Sequence, residues 1–109
     1  MYRMRVALTG ASGFIGKHVL RELLKKDVSV VIVTREYSRL EEFAEKTQII
    51  ELDLTNADKH TFDSLGRPDV LLHLAWDGLP NYGSLHHFSD ELPKQYRFLQ
   101  HMISEGLQN

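Results

Sequence analysis

Thr9-Gly10-Ala11-Ser12-Gly13-Phe14-Ile15-Gly16 follows the apolar run Val6-Ala7-Leu8 directly and precedes a helical pattern. This order predicts a strand, a tight turn and the N-terminus of a helix. Such a turn presents backbone N–H groups and the positive end of a helix dipole, which together favour a diphosphate. Gly10 can adopt backbone angles that a Cβ disfavours, Gly13 lets phosphates approach the main chain, and Gly16 lets the helix pack close to the strand. The stretch therefore predicts a dinucleotide-binding turn.

Three other residues of this turn have two interpretations each. The hydroxyl of Ser12 could bind a phosphate or only the local backbone, and the phosphate is favoured. We expect the N–H groups of Phe14 and Ile15 to face the diphosphate, while their side chains pack in the core or form the wall of a crevice.

Composition excludes several functional classes. The 109 residues suit one domain, and 13 basic against 15 acidic residues form no long run of one sign, which argues against nucleic acid or an anionic membrane as a partner. The absence of cysteine excludes disulfides, zinc-thiolate sites and thiol nucleophiles. No apolar run approaches the ~20 residues of a spanning helix. We expect a cytoplasmic protein.

The remainder of the chain alternates strand and helix patterns. Apolar, partly β-branched runs predict strands at 5–9, 28–33, 49–52 and 69–74. The first helix follows the glycine turn, with Ile15, Val19, Leu20, Leu23 and Leu24 at helical spacing.

Three later helices are predicted from caps and periodicity. Ser38 and Glu41 match a capping box that opens a short helix through residue 45. A weaker helix spans 55–65, is capped by Thr55 or Asn56, and buries Phe62 and Leu65. The last helix begins near Leu92 and ends near Gly106, with one apolar side formed by Tyr96, Leu99, Met102 and Ile103.

This alternation predicts an α/β fold of the Rossmann type. A doubly wound parallel sheet with strand order 3-2-1-4 would carry helices on both faces, and the chain would stop about where a fifth strand should start. The glycine turn then lies at the carboxyl end of strand one, beside the point where the strand order reverses. That crevice is the usual ligand site in such sheets.

Three motifs resemble those of the extended short-chain dehydrogenase/reductases, the NAD-dependent epimerase/dehydratase group. The segment 9–16 is similar to the family's TGxxGFIG turn, and Asp53-Leu54 resembles a pair that contacts adenine. His73-Leu74-Ala75 resembles the family's HLA segment, which lines the cofactor beside the pyrophosphate and the nicotinamide ribose. The resemblance thus implies cofactor contacts for Asp53, Leu54, Leu74 and Ala75. Trp76, the next residue, could shield the nicotinamide or the sugar, or only cover the sheet.

The resemblance also implies catalytic residues that this chain lacks. The family uses a tyrosine with a lysine four residues later, in which the lysine lowers the tyrosine pKa so that a proton moves as hydride is transferred. No Tyr-x-x-x-Lys occurs in the sequence. We therefore expect residues 1–109 to be an NAD(P)-binding domain, the N-terminal portion of a longer protein, inactive alone and without catalytic residues. Tyr82 is a poor candidate for a catalytic acid.

Arg35 bears on which dinucleotide is bound. An acid at the end of strand two accepts from the ribose 2′-OH of NAD, whereas an arginine pairs with the 2′-phosphate of NADP. Strand two ends in Val33-Thr34-Arg35-Glu36, so Arg35 slightly favours NADP over NAD, with Arg39 as a possible support. Glu36 could still turn in and accept from the ribose.

Two functions from different classes remain open. The first is the NAD(P)-binding domain of a nucleotide-sugar epimerase or dehydratase, and the second is a non-catalytic dinucleotide sensor or scaffold of the same fold. The six histidines lack the spacing and accompanying ligands of a metal site. An exposed apolar edge on strand four, at 70–74, predicts a homodimer or higher homo-oligomer.

Overall fold

A four-stranded parallel sheet organises the chain. The computed structural model describes residues 3–75 and 92–109, and the statements that follow concern those residues. The strands are β1 (Met4–Thr9), β2 (Val28–Thr34), β3 (Gln48–Glu51) and β4 (Val70–His73), in the spatial order β3-β2-β1-β4. The helices are α1 (Phe14–Leu24), α2 (Thr61–Ser64) and α3 (Leu92–Ser104), with 3₁₀ helices at Tyr37–Phe43 and Leu54–Asn56. The predicted fold class and strand order are confirmed.

Both faces of the sheet are covered, as a doubly wound fold requires. On one face, Ala7, Val31 and Val33 pack with side chains of α2 and α3, and on the other Leu8 and Ile32 pack with α1 and the 3₁₀ helix Tyr37–Phe43. Adjacent strand residues point to opposite faces, so an unbroken apolar strand supplies both cores.

The strand register brings three strand ends together. Thr9 pairs with Val33 of β2 and with His73 of β4, so β1, β2 and β4 end at one edge of the sheet. Residues that follow these strands are therefore neighbours in space, although Thr9 at the end of β1 and His73 at the end of β4 are 64 residues apart in sequence.

The predicted capping box at Ser38 and Glu41 is wrong. The segment is a 3₁₀ helix whose N-cap is Glu36, and the Glu36 side chain makes no capping hydrogen bond. Partners from the sheet take that role: the Glu36 N–H donates to Thr34 Oγ1 (3.2 Å), and the Tyr37 N–H donates to Glu51 Oε2 (3.1 Å). The first N–H groups are thus satisfied without Ser38.

The weak helix predicted at 55–65 is divided into two short pieces, and its cap is Asp53 instead of Thr55 or Asn56. Asp53 Oδ1 accepts from the Thr55 N–H at 2.9 Å. Asp58 starts a second turn, where its carboxylate accepts from the His60 N–H at 2.8 Å. Such local bonds compete with a continuous helix. Burial of Phe62 and Leu65 is confirmed.

The apolar side predicted for the last helix is partly wrong. Tyr96 and Ile103 are 65% and 63% exposed, whereas Gln95, Phe98 and Met102 are buried. The helix does end near Gly106, because the N–H groups of Gly106 and the following residue bond to carbonyls of the last turn.

The exposed edge predicted for β4 needs a correction. Its four residues are half-buried, and the Leu71 N–H donates to the backbone carbonyl of Asn109 at 2.7 Å. The end of the described chain therefore pairs with β4 at this position.

Within the described ranges, no helix is long and apolar enough to cross a membrane.

Candidate functional site

A cavity of about 540 Å³ lies at the edge where β1, β2 and β4 end. Its lining comprises residues 9–16, 33–35 and 52–54, with Leu74 and Ala75 after β4, and Lys94 and Gln95 of α3. Of the predicted site residues, Gly10, Ser12, Gly13, Phe14, Ile15, Arg35, Asp53, Leu54, Leu74 and Ala75 all line this cavity. Trp76 and Tyr82 lie outside the described residues.

The glycine turn owes its shape to two steric requirements. Gly10 has φ +75°, and a Cβ there would stand 2.5 Å from the carbonyl carbon of Leu74. A Cβ on Gly16 would overlap with the carbonyl oxygen of Gly10 and stand 2.8 Å from Cα of Ala11. Gly13 differs, because its Cβ would meet one described atom only, the Gly10 oxygen at an ordinary 3.6 Å. Gly13 therefore leaves room in the cavity instead of serving the packing.

The Thr9 hydroxyl joins the ends of β1 and β4. Thr9 is 1% exposed, and its Oγ1 accepts from the backbone N–H groups of Leu74 (3.0 Å) and Ala75 (3.2 Å). The same oxygen lies 2.7 Å from Nδ1 of His73. With two N–H groups already donating to it, the hydroxyl gives its single proton to that nitrogen. Thr9 thereby positions the backbone of the predicted HLA segment beside the turn.

His73 continues this chain of hydrogen bonds to α3. Because Nδ1 accepts from Thr9, the ring proton is assigned to Nε2, which donates to Oε1 of Gln95. The His73 ring also packs against Phe98, with 5.1 Å between the ring centroids. Both ring nitrogens of His73 are therefore hydrogen-bonded. These contacts set the rotation of α3 and bring Lys94 and Gln95 to the cavity.

Asp53 occupies the part of the cavity between β2 and β3. Hydrogen bonds from the backbone and hydroxyl of Thr55 lower the pKa of Asp53. Burial opposes them, and the positive charges of Lys94 and Arg35 add smaller effects that lower the pKa. The carboxylate is therefore ionised at neutral pH. The stabilisation that the ionised carboxylate gains from Thr55 is fully present above the pKa that Asp53 has in the unfolded chain. It is lost as the pH falls through the lower pKa of Asp53 in the folded chain.

Arg35 and Glu36, the two residues that follow β2, have different surroundings. Arg35 lines the cavity, whereas Glu36 accepts from Nε of Arg39 at 3.1 Å, and neither member of that exposed ion pair is among the lining residues. The two alternatives from the sequence, Glu36 turned in and Arg39 as a support, are thus not the arrangement of this structure.

The side chains of Phe14 and Ile15 form the cavity wall, which is the second of the two alternatives expected for them. They are 80% and 67% exposed, so neither packs in the core, and Ile15 does not share the buried face of α1. Leu54 is buried in the core and also lines the cavity, while Leu74 is 40% exposed.

Lys94 and Gln95 were missed by reasoning from the sequence. They follow the strand-four motif by about twenty residues, and the apolar spacing of the last helix suggested a different buried face. The available signal was Gln95, a polar residue at the spacing of Phe98 and Met102.

Within residues 3–75 and 92–109, no group of three or more histidine, aspartate or glutamate side chains is arranged to hold a metal.

The glycine turn, Asp53-Leu54 and the HLA segment all lie in the part of the chain that a protein-family model matches. The protein-family model "NAD dependent epimerase/dehydratase family" matches residues 6–84. A curated relative, the dTDP-6-deoxy-L-talose 4-dehydrogenase (NAD(+)) of Aggregatibacter actinomycetemcomitans, is 29% identical over 107 residues. That match covers 97% of this chain and 39% of the relative.

Solved structures share the fold. The UDP-Glc/GlcNAc 4-epimerase of Campylobacter jejuni superposes with a TM-score of 0.80 at 19% identity, over 95% of this chain and 35% of that one. The Bordetella bronchiseptica enzyme WbmG, in complex with NAD, gives 0.71 at 18% identity, over 97% and 36%. The chain thus spans little more than a third of the length of these proteins. With a family model that covers most of its residues, it belongs to the NAD-dependent epimerase/dehydratase family.

Proposed function

We propose that residues 1–109 form the NAD(P)-binding domain of a nucleotide-sugar epimerase- or dehydratase-like oxidoreductase. The observation that carries this proposal is the cavity itself, which is lined by the glycine turn at the carboxyl ends of the strands and by Asp53, an ionised carboxylate. Family membership supports it, as do a relative named as an NAD-linked dehydrogenase of a dTDP-sugar and a structural neighbour solved in complex with NAD.

The residues present fit a dinucleotide. The turn offers N–H groups, with Ser12 and the space beside Gly13, to a diphosphate. In this proposal, Asp53 accepts from the adenine amino group while Leu54 packs on the ring. Leu74 and Ala75 line the nicotinamide half, next to Trp76.

The bound cofactor would supply hydride transfer to and from a sugar carbon. The residues of this chain would bind and orient it, and none is proposed as catalytic, since the sequence has no Tyr-x-x-x-Lys. The chain alone is therefore expected to bind cofactor without turnover. The alternative is a sensor or scaffold that binds the same cofactor without a reaction. It would apply if the longer protein also lacks a Tyr-x-x-x-Lys pair.

Asp53→Asn tests the adenine contact. The amide oxygen can still accept from the Thr55 N–H, but the amide nitrogen then faces the adenine amino group, so two donors oppose each other. We expect the Kd for NADH to rise about tenfold, the equivalent of ~1.5 kcal/mol for a charged hydrogen bond. Calorimetric titration of the 109-residue chain measures it.

Asp53→Ala is the matched control, because it removes both the cap and the acceptor. It should lose affinity similarly and also lose about 1 kcal/mol of unfolding free energy, whereas Asp53→Asn keeps most of its stability. An unchanged NADH affinity in Asp53→Asn would show that Asp53 does not contact the adenine. The native chain's affinity should be constant near neutral pH and fall only in acid, as the carboxylate protonates.

Arg35→Ala tests the proposed preference for NADP. Loss of the guanidinium should weaken NADPH binding about tenfold and change NADH binding less than twofold, because only NADPH carries a 2′-phosphate. Arg39→Ala is the control, since Arg39 pairs with Glu36 away from the cavity. A native chain that binds NADH more tightly than NADPH would refute the preference.

Self-association is also proposed. Three apolar side chains of α3, Leu92, Tyr96 and Ile103, are at least half exposed in the described structure. Such a row supports a homodimer or higher homo-oligomer through α3. Light scattering at rising concentration should give at least twice the monomer mass, and a constant monomer mass would contradict it.

A further inference from the structure

Gln95 is a polar side chain that the fold buries at the wall of the cavity. It is 4% exposed, lies on α3 and lines the same cavity as Leu74 and Ala75. Its Oε1 accepts from Nε2 of His73, so the amide links α3 to the carboxyl end of β4. Burial of an amide costs free energy unless its hydrogen bonds are made within the protein. Gln95 is therefore a candidate for a residue that sets the geometry of the site.

The hydrogen bonds that end at Gln95 have one direction of donation. Thr9 Oγ1 accepts from the N–H groups of Leu74 (3.0 Å) and Ala75 (3.2 Å), which uses both of its lone pairs. Its own proton then goes to Nδ1 of His73, 2.7 Å away, and the ring proton lies on Nε2. That N–H needs an acceptor, which Gln95 Oε1 provides. Gln95 thus stabilises the tautomer of His73 that the other bonds require.

The opposite tautomer of His73 would require a change at the cavity wall. With the proton on Nδ1, the ring and the two backbone N–H groups would all donate to Thr9 Oγ1, which has lone pairs for two of them. Either the ring or the backbone of Leu74 or Ala75 would then have to move. Leu74 and Ala75 line the cavity, and the ring is bonded to the α3 wall. The tautomer of a part-buried ring is therefore coupled to the shape of the ligand site.

We propose that Gln95 is a positioning residue for the bound dinucleotide. Through the tautomer of His73 and the hydroxyl of Thr9, it fixes the backbone of the HLA segment, which lines the nicotinamide half of the site in the proposed function. This inference rests on that proposed function and adds to it the residue of α3 that holds this part of the cavity wall in place.

The binding experiment compares NADH with ADP, a probe that ends at the diphosphate. Asp53 and Leu54 follow β3 and take no part in the bonds that end at Gln95, so the adenosine part of the ligand should be unaffected. Gln95→Met keeps the volume and removes the acceptor. Calorimetric titration of this variant should give a Kd for NADH about fivefold above the native value and a Kd for ADP changed less than twofold. Gln100→Met, the same substitution at an exposed position of α3, is the matched control and should change neither Kd.

A second variant and a spectroscopic measurement separate positioning from a loss of stability. His73→Asn keeps an acceptor for the Thr9 hydroxyl near the place of Nδ1, but its shorter side chain does not reach Gln95, so it should lose NADH affinity as Gln95→Met does. Nitrogen NMR of the unliganded chain at about pH 8.5, well above the ordinary pKa of imidazole, reads the tautomer directly. Nε2 should be protonated in the native chain and in Gln95→Glu, whose carboxylate accepts from the same N–H. Gln95→Met should show a mixture of tautomers.

Each remaining outcome has a definite meaning. Unchanged NADH affinity in a folded Gln95→Met would overturn the inference, and so would equal losses for NADH and ADP, since the effect would then extend beyond the HLA segment. The native tautomer in Gln95→Met would overturn it as well. These results leave the proposed function standing as long as the native chain binds NADH or NADPH, whereas binding of neither dinucleotide overturns the proposed function and the inference together.

Discussion

Gly16→Ala is expected to lower the free energy of unfolding by about 3 kcal/mol or more, a large part of the ~5–15 kcal/mol that a domain of this size has. The new Cβ would overlap with the Gly10 carbonyl oxygen and press on Ala11. Both obstacles are backbone, so no rotamer change relieves the clash. Helix α1 would have to move away from β1, and the packing of Leu20 at the core would be lost with it.

Urea denaturation followed by circular dichroism measures this change. Gly13→Ala is the matched control, because Gly13 has φ −77° and its Cβ would have only an ordinary 3.6 Å neighbour. That variant should fold with stability close to native, while its added methyl group takes up space in the proposed diphosphate site. A Gly16→Ala protein with native stability would mean that α1 does not pack against the turn as described.

Thr9→Val is expected to cost about 2–3 kcal/mol. Valine has nearly the same shape, so the change isolates the hydroxyl. Its removal takes away the acceptor of the Ala75 N–H and the donor to Nδ1 of His73, both close to the core. The Leu74 N–H keeps its bond to the Thr9 carbonyl. The loss of stability should therefore be greatest at the HLA segment and at α3, whose position depends on the bond from His73 to Gln95.

Thr9→Ser is the matched control, since it keeps the hydroxyl and removes only a methyl group. Nitrogen NMR of the His73 ring gives a second measurement: the native chain should show a protonated Nε2 and an unprotonated Nδ1, and Thr9→Val should show a mixture of tautomers. Equal stability of Thr9→Val and the native chain would contradict the assigned hydrogen bonds.

The sequence by itself determined the elements whose cause is local. β-branched apolar runs marked all four strands, and the alternation of strands with helices was sufficient for the parallel order. Gly10 and Gly16 marked the turn, because the positive φ of Gly10 and the close approach of Gly16 to the Gly10 carbonyl arise within a few residues of chain. The family motifs lie in these same segments, which is why ten of the eleven predicted cofactor residues line one cavity.

Only the tertiary structure decided features that depend on distant partners. The 3₁₀ helix Tyr37–Phe43 begins where Glu51 accepts from its first N–H, so a local cap signal at Ser38 was misleading. The rotation of α3 follows from the bond between His73 and Gln95, 22 residues apart, and apolar periodicity alone favoured the wrong face. The same rotation brings Lys94 to Asp53. Helical periodicity reports which residues share a side, but the partner that buries a side chain is chosen by packing and hydrogen bonds between elements.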